Sequence, residues 1–211
     1  MDAPVEMPSQ PLIAVDVVPI AFDGREVLVA TAIRRFEPFQ GREALPGVLL
    51  DSGELIEMAA RRALRDKAGI SDVRALLPLG TFDRPGRDPR THAISIAWVA
   101  AVPTGGDAIW HPAGSSTLGL PFDHDAIIAA ALTEARHHLW TDSAFTQALT
   151  GEEFTGPEAV ALEASLTGTR PHASNLQRAL AADPHLERVG AEHSGARGRP
   201  ATVWRWVPTP P

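Results

Sequence analysis

From Leu45 to Ile70 the chain reads LPGVLLDSGELIEMAARRALRDKAGI, a glycine-bearing loop running into one helix. The helix is expected to start near Glu54 and to stop at Gly69, a residue suited to the left-handed backbone that closes helices. Side chains three and four apart share a helix face, so positions 63, 66 and 67 form one surface. They hold Ala63, Asp66 and Lys67. A Mg²⁺ ion that activates water on a phosphoanhydride needs several converging oxygen ligands. Ala63 offers none, Asp66 is one methylene shorter than Glu, and the Lys67 ammonium would repel a cation. Glu54 and Arg62 can still pair and brace loop against helix, with Lys67 as a local partner for Asp66 or Glu54. The stretch keeps the scaffold of a phosphate-handling site and loses most of its metal chemistry.

At 211 residues, 44% of them hydrophobic, the chain can build a proper core and has the length for two unequal domains. A net charge of −7 argues against a protein that coats nucleic acid indiscriminately. With no cysteine there is no disulfide framework, thiol nucleophile or thiolate zinc site, and the eight histidines show no metal-ligand spacing. The opening MDAPVEMPSQP lacks the basic and apolar regions of a signal peptide, and no run of about 18 apolar residues could span a membrane. A cytoplasmic, nucleoid-associated protein is expected.

Two β-branched apolar runs, 12–22 and 26–33, flank Asp23-Gly24, a strong hairpin signal. Residues 73–82 and 92–102 read as further strands around the basic turn Asp83 to Arg90, and 103–121 as loop. Residues 125–140 have helical spacing with Ile128, Leu132 and Leu139 inward. The sum is an α/β (α+β) sandwich over residues 1–141.

Residues 142–211 change character. Thr155-Gly156-Pro157-Glu158 fits a capping box opening a helix that carries Leu162 and Leu166 and ends at Gly168. A short turn precedes a second helix, 173–182, with Leu176 and Leu180 inward. Two strands follow, joined by the tip 193–200 and ending in Trp204-Arg205-Trp206, where the tryptophans are expected to pack. Helix, turn, helix and hairpin is the layout of a winged helix-turn-helix. From residue 164 onward six arginines against Asp183, Glu187 and Glu192 give +3, leaving −10 for the first 163 residues. An acidic sensor joined to a basic tail suits a protein in which only the tail touches phosphates.

The frame of 45–70 resembles the Nudix box, in which Gly-Glu leads into a helix carrying Arg-Glu-x-x-Glu-Glu-x-Gly. Gly53-Glu54, Arg62 and Gly69 are in register, while Ala63, Asp66 and Lys67 replace the three glutamates and Val48 replaces a glycine. Taken whole, the chain resembles the Nudix-related transcriptional regulators of NAD metabolism, the NrtR family. Four phrases carry the likeness: 34–46 before the box, Arg87-Asp88-Pro89-Arg90, Pro121-Phe122-Asp123-His124-Asp125, and Gly198-Arg199-Pro200-Ala201 with Trp204-Arg205-Trp206. Glu43 departs from it, standing where an aromatic is common. The second helix departs too, carrying fewer arginines than the family's phrase.

The resemblance implies a Nudix-type α/β/α sandwich followed by a winged helix-turn-helix, in a homodimer that represses genes of NAD synthesis or salvage. Its effector would be ADP-ribose or a related nucleotide, with no other cofactor, no metal and no catalytic residue. The implied ligand contacts are Arg35, Arg87 and Arg90, with Glu54 and Asp66 nearby. Strand alternation lets only one of Arg34 and Arg35 face the pocket, and Arg35 is preferred. Two closely spaced arginines beside Gly86 suit bidentate anion binding.

For DNA, Asn175 and Gln177 can read adenine and Arg178 guanine. Arg197 and Arg199 suit the backbone or minor groove, Arg170 and His172 are further candidate DNA contacts, and Ser174 is a helix cap or a phosphate contact. The operator should be a palindrome with half-sites one or two helical turns apart. The alternatives are a weak Mg²⁺-dependent hydrolase of ADP-ribose or nucleoside diphosphates using Glu54, Glu57 and Asp66, or a ligand-binding adaptor.

Overall fold

The computed structural model describes residues 10–115, 117–192 and 201–207, with only the backbone at 191 and 192. The elements in order are β1 (Leu12–Phe22), β2 (Val27–Ile33), β3 (Glu43–Ala44), β4 (Gly47–Leu49), α1 (Ile56–Ala68), β5 (Ala75–Phe82), β6 (Ala93–Ala101) and β7 (Ile109–Pro112). They continue with α2 (His124–His138), α3 (Ser143–Thr150), β8 (Glu153–Thr155), α4 (Gly156–Thr167), α5 (Ala173–Ala182), β9 (Leu186–Glu192) and β10 (Ala201–Trp206).

A seven-stranded sheet runs β3-β2-β1-β6-β5, with β4 also on β1 and β7 also on β2; only β1 and β6 pair in parallel. Apart from Asp16, β1 is apolar along both of its faces because both are covered. Val15 and Val17 pack under α1 with Ala59, Ala60, Ala63 and Leu64. Val18 and Ile20 face the other way, toward Ile127, Ala131 and Ala135 of α2. The fold is therefore a mixed α/β sandwich of Nudix type.

Local sequence fixes the helix ends. Gly69 (φ 67°) closes α1, its N–H bonded to Arg65 O while Ile70 N–H reaches Leu64 O. The helix begins two residues later than expected, at Ile56, with Leu55 as an N-cap that makes no side-chain bond. The capping box of α4 is present: Thr155 N–H donates to Glu158 Oε2 (2.6 Å) and Glu158 N–H to Thr155 Oγ1 (3.3 Å).

Two expectations are corrected and one unassigned segment is filled. Residues 103–121 are not all loop, since 109–112 add to β2 as β7. A short helix, α3, fills the gap after α2, capped by Asp142 Oδ1 accepting from Phe145 N–H (3.0 Å). The closing hairpin is joined by β8, giving a three-stranded sheet β8-β10-β9. Trp204 and Trp206 are buried against Phe154, Leu176 and Leu180, as packing residues should be. Phe145 and Leu149 of α3 and Leu162 and Leu166 of α4 belong to the same core as the sheet. No helix among the described residues is long and apolar enough to cross a membrane.

Candidate functional site

Where β1, β2 and β4 meet α1 and the start of α2, the fold leaves a cavity of about 200 Å³. Its polar lining is Arg34, Arg35 and Glu37 after β2, Lys67 on α1, Arg87, Asp88 and Arg90 from the β5–β6 loop, and Asp16 and His124 in the floor. Ile33, Phe36, Leu49 and Phe122 supply its larger apolar walls. Cations outnumber carboxylates, so the cavity suits an anion.

The floor is a buried polar network. Arg87 donates from Nη2 to Asp123 Oδ1 (2.7 Å), from Nε to both Asp123 oxygens (3.1 Å each), and to Asp16 Oδ2 (3.5 Å). Burial alone would push the guanidinium down, but the bonds to Asp123 and the charges of Asp16 and Asp123 outweigh it and hold Arg87 above its ordinary value. Ser95 Oγ donates to Asp16 Oδ2 at 2.6 Å. His124 Nδ1 accepts from Leu45 N–H (3.0 Å), leaving Nε2 toward Asp16 Oδ1 at 3.8 Å. Burial pushes this imidazole below its ordinary value, so it serves as a neutral brace. Glycine is required at position 47 because a Cβ there would lie 2.0 Å from Asp16 Oδ1. Asp123, the N-cap residue of α2, makes no side-chain cap because Arg87 occupies its carboxylate.

The rim is less constrained. Arg90 is held by Asp88, accepting at Oδ1 from Arg90 Nε (3.0 Å) and at Oδ2 from Nη2 (2.7 Å). Arg34 donates to Pro38 O (2.8 Å) and lies 4.8 Å over the Phe122 ring. Burial, then the nearby Arg90, lower its pKa. Arg35 is exposed and, among the described residues, has no hydrogen-bond or ion-pair partner. Both Arg34 and Arg35 line the cavity, not one of them, because β2 ends at Ile33 and alternation ends with it.

Arg35, Arg87 and Arg90 therefore come together, while Glu54 and Asp66 stand outside the lining. Glu54 is tied to Arg62 by two bonds of 2.8 and 2.7 Å, which hold its carboxyl down at about 2. Asp66 pairs with Arg65, and Glu57 with Arg61. Lys67 joins neither acid, contrary to expectation; its Nζ lies 5.6 Å from the Phe36 ring centroid, at the cavity. It is the penultimate residue of α1 and lines the cavity, which register alone could not reveal. Among the described residues no three acidic or histidine side chains converge as a metal site would require. The donor set does not fit the Mg²⁺ that the Nudix box implies.

In the tail, Arg170, His172, Ser174, Asn175 and Arg178 are exposed on the α4–α5 turn and α5, and Gln177 is half-buried. His172, not Ser174, is the N-cap of α5. Arg178 Nη2 donates to Asn175 Oδ1, and Arg188 lies across the groove from Ser174, Gln177 and Arg178. Arg197 and Arg199 lie outside the described residues.

The NUDIX domain model matches residues 10–141. The chain is 36% identical over 126 residues to an ADP-ribose pyrophosphatase of Methanocaldococcus jannaschii, covering 56% of this chain and 71% of that protein. Its fold is similar along nearly its whole length to Shewanella oneidensis NrtR, at a TM-score of 0.75 and 24% identity, covering 93% of this chain and 94% of that one. The same protein complexed with a 27mer DNA gives the same score over 92% and 93%. The NUDIX domain of that protein complexed with ADP ribose matches 60% of this chain and 89% of its own, with a TM-score of 0.52 and 24% identity. With a NUDIX match over well more than half its length and an NrtR-like fold throughout, this chain belongs to the NUDIX domain family.

Proposed function

We propose that this chain is a DNA-binding transcriptional repressor of NAD synthesis or salvage genes that senses ADP-ribose or a related NAD-derived nucleotide. Residues 1–141 form the effector domain with a catalytically degenerate pocket. Residues 142–211 form a winged helix-turn-helix, with α4 and α5 as the helix pair and β8-β10-β9 as the wing sheet. The observation that carries the reading is one chain holding both an arginine-lined Nudix cavity, with no metal-holding carboxylate cluster among the described residues, and this helix pair with its sheet. The similar NrtR structures with DNA and with ADP ribose support it.

Arg35 and Arg90 meet the diphosphate and Arg87 shapes the floor beneath it. Glu54 and Asp66 act only from outside the lining. Arg170, His172, Ser174, Asn175, Gln177 and Arg178 face DNA, and Arg197 and Arg199, outside the described residues, are further DNA contacts. The protein acts as a cytoplasmic, nucleoid-associated homodimer on a palindromic operator, and uses neither a metal nor a further cofactor. Affinity selection from random duplex DNA tests the reading: a recovered palindrome supports it, and recovery of no shared sequence refutes it.

The 36% identity to an ADP-ribose pyrophosphatase favours one second reading, a weak Mg²⁺-dependent hydrolase. Turnover of ADP-ribose that falls in Glu54→Gln would favour it. Turnover indistinguishable from that variant would remove it.

A further inference from the structure

Phe36 is 69% exposed, and it stands on the rim of the cationic cavity in the loop after β2. A large aromatic ring left in water forfeits the burial free energy that such side chains usually contribute. Two neighbours on the same cavity share its character, Ile33 at 49% and Leu49 at 45% exposure. The other phenyl ring on the lining, Phe122, is already used: Arg34 covers its face, Phe39 meets it edge-to-face at 5.1 Å and His124 packs against it. Among the described residues the Phe36 ring meets the Lys67 ammonium alone in a ring contact, 5.6 Å from its centroid. One flat apolar surface therefore lies open beside an array of cations.

We propose that Phe36 is the platform on which the base of the bound nucleotide stacks, with Ile33 and Leu49 flanking it and Lys67 bridging from the ring to the ligand's phosphates. The inference rests on the nucleotide-sensing reading above and adds the part of the ligand that this reading leaves unassigned. The chemistry follows from charge and shape. The arginines and Lys67 recognise a diphosphate but cannot tell a nucleotide from inorganic pyrophosphate. An open aromatic face recognises a planar base and tolerates its identity, because every base has a π-face. At about 200 Å³ the cavity is below the usual range of about 300–1,000 Å³ for drug-sized ligands, so part of a dinucleotide-sized ligand must lie on the rim. The apolar rim is where that part finds a partner.

The test is calorimetric titration of the full chain with ADP-ribose and, separately, with inorganic pyrophosphate. Phe36→Ala should weaken ADP-ribose binding roughly tenfold relative to pyrophosphate, and Phe36→Trp should restore the ratio. Loss of both affinities in equal measure, or of neither, would overturn the assignment. So would an unchanged ADP-ribose affinity with an altered oligomeric state on gel filtration, which would make the ring a contact between copies. If the unsubstituted protein binds neither probe, the nucleotide reading itself fails and this inference falls with it. If it binds ADP-ribose and the substitution leaves the ratio unchanged, only the platform is wrong.

Discussion

Arg87 grips Asp123 with both Nε and Nη2, the shortest contact being 2.7 Å, and so fastens the β5–β6 loop to the first residue before α2. Their side chains are 4% and 5% exposed, and Asp16 approaches the same guanidinium from β1. Removing the cation leaves two buried carboxylates facing each other. Arg87→Ala should therefore lower stability by about 3–5 kcal/mol in urea denaturation. Arg87→Lys should recover little of it, because an ammonium cannot reproduce the two-pronged geometry. A loss below about 1 kcal/mol would contradict the network.

Gly47 supports the same floor from the other side. Gly47→Ala places a methyl 2.0 Å from Asp16 Oδ1, so the carboxylate must shift, disturbing the bonds that its other oxygen accepts from Ser95 and Arg87. The variant should lose roughly 1–3 kcal/mol and bind ADP-ribose more weakly. Unchanged stability and binding would mean that Asp16 is free to move.

Glu54 and Arg62 set a pH window. The carboxyl is held at about 2, chiefly by its hydrogen bonds from Arg62, against an ordinary value of 4.5. A group whose folded value is depressed contributes stability above its unfolded value and loses it as pH falls through the folded one. The brace should thus be intact above pH 4.5 and fade from there toward about 2. Carboxyl NMR titration should place the Glu54 midpoint near the lower value, and a midpoint near 4.5 would show that the ion pair does not form in solution.

At the far end of α2, Arg136 donates from Nε (3.0 Å) and Nη2 (2.8 Å) to Leu166 O, in the last turn of α4 before the loop to α5. The helix is thus tied to the cavity loop at one end and to the helix pair at the other. Arg136→Ala should leave ADP-ribose affinity intact while reducing its effect on DNA binding by about 0.5–2 kcal/mol. Coupling equal to that of the unsubstituted protein would exclude α2 as the connection.

Much of this was legible in the chain. The Thr155–Glu158 box and Gly69 are local signals, and local signals survive folding because their partners sit three or four residues away. The two-sided burial of β1 was written in its apolar run, which only Asp16 interrupts. Strands of two to four residues, such as β3, β4 and β7, are too short to show a period, and 103–112 read as loop for that reason. α3 did carry a signal, with Asp142 ahead of Phe145, Ala148 and Leu149 at helical spacing. Lys67 turning to the cavity, Asp123 meeting Arg87, and Arg34 lining the site beside Arg35 depend on which loops the sheet brings together. No spacing along the chain encodes that.

The measurement that tests the central claim most directly is fluorescence anisotropy on the chain's own upstream promoter DNA, with and without ADP-ribose. The account predicts tight binding that survives unrelated competitor DNA, weakens with salt as phosphate contacts must, and changes when ADP-ribose is added. Binding indifferent to ADP-ribose would discard the effector, and absence of any sequence-specific binding would contradict the account.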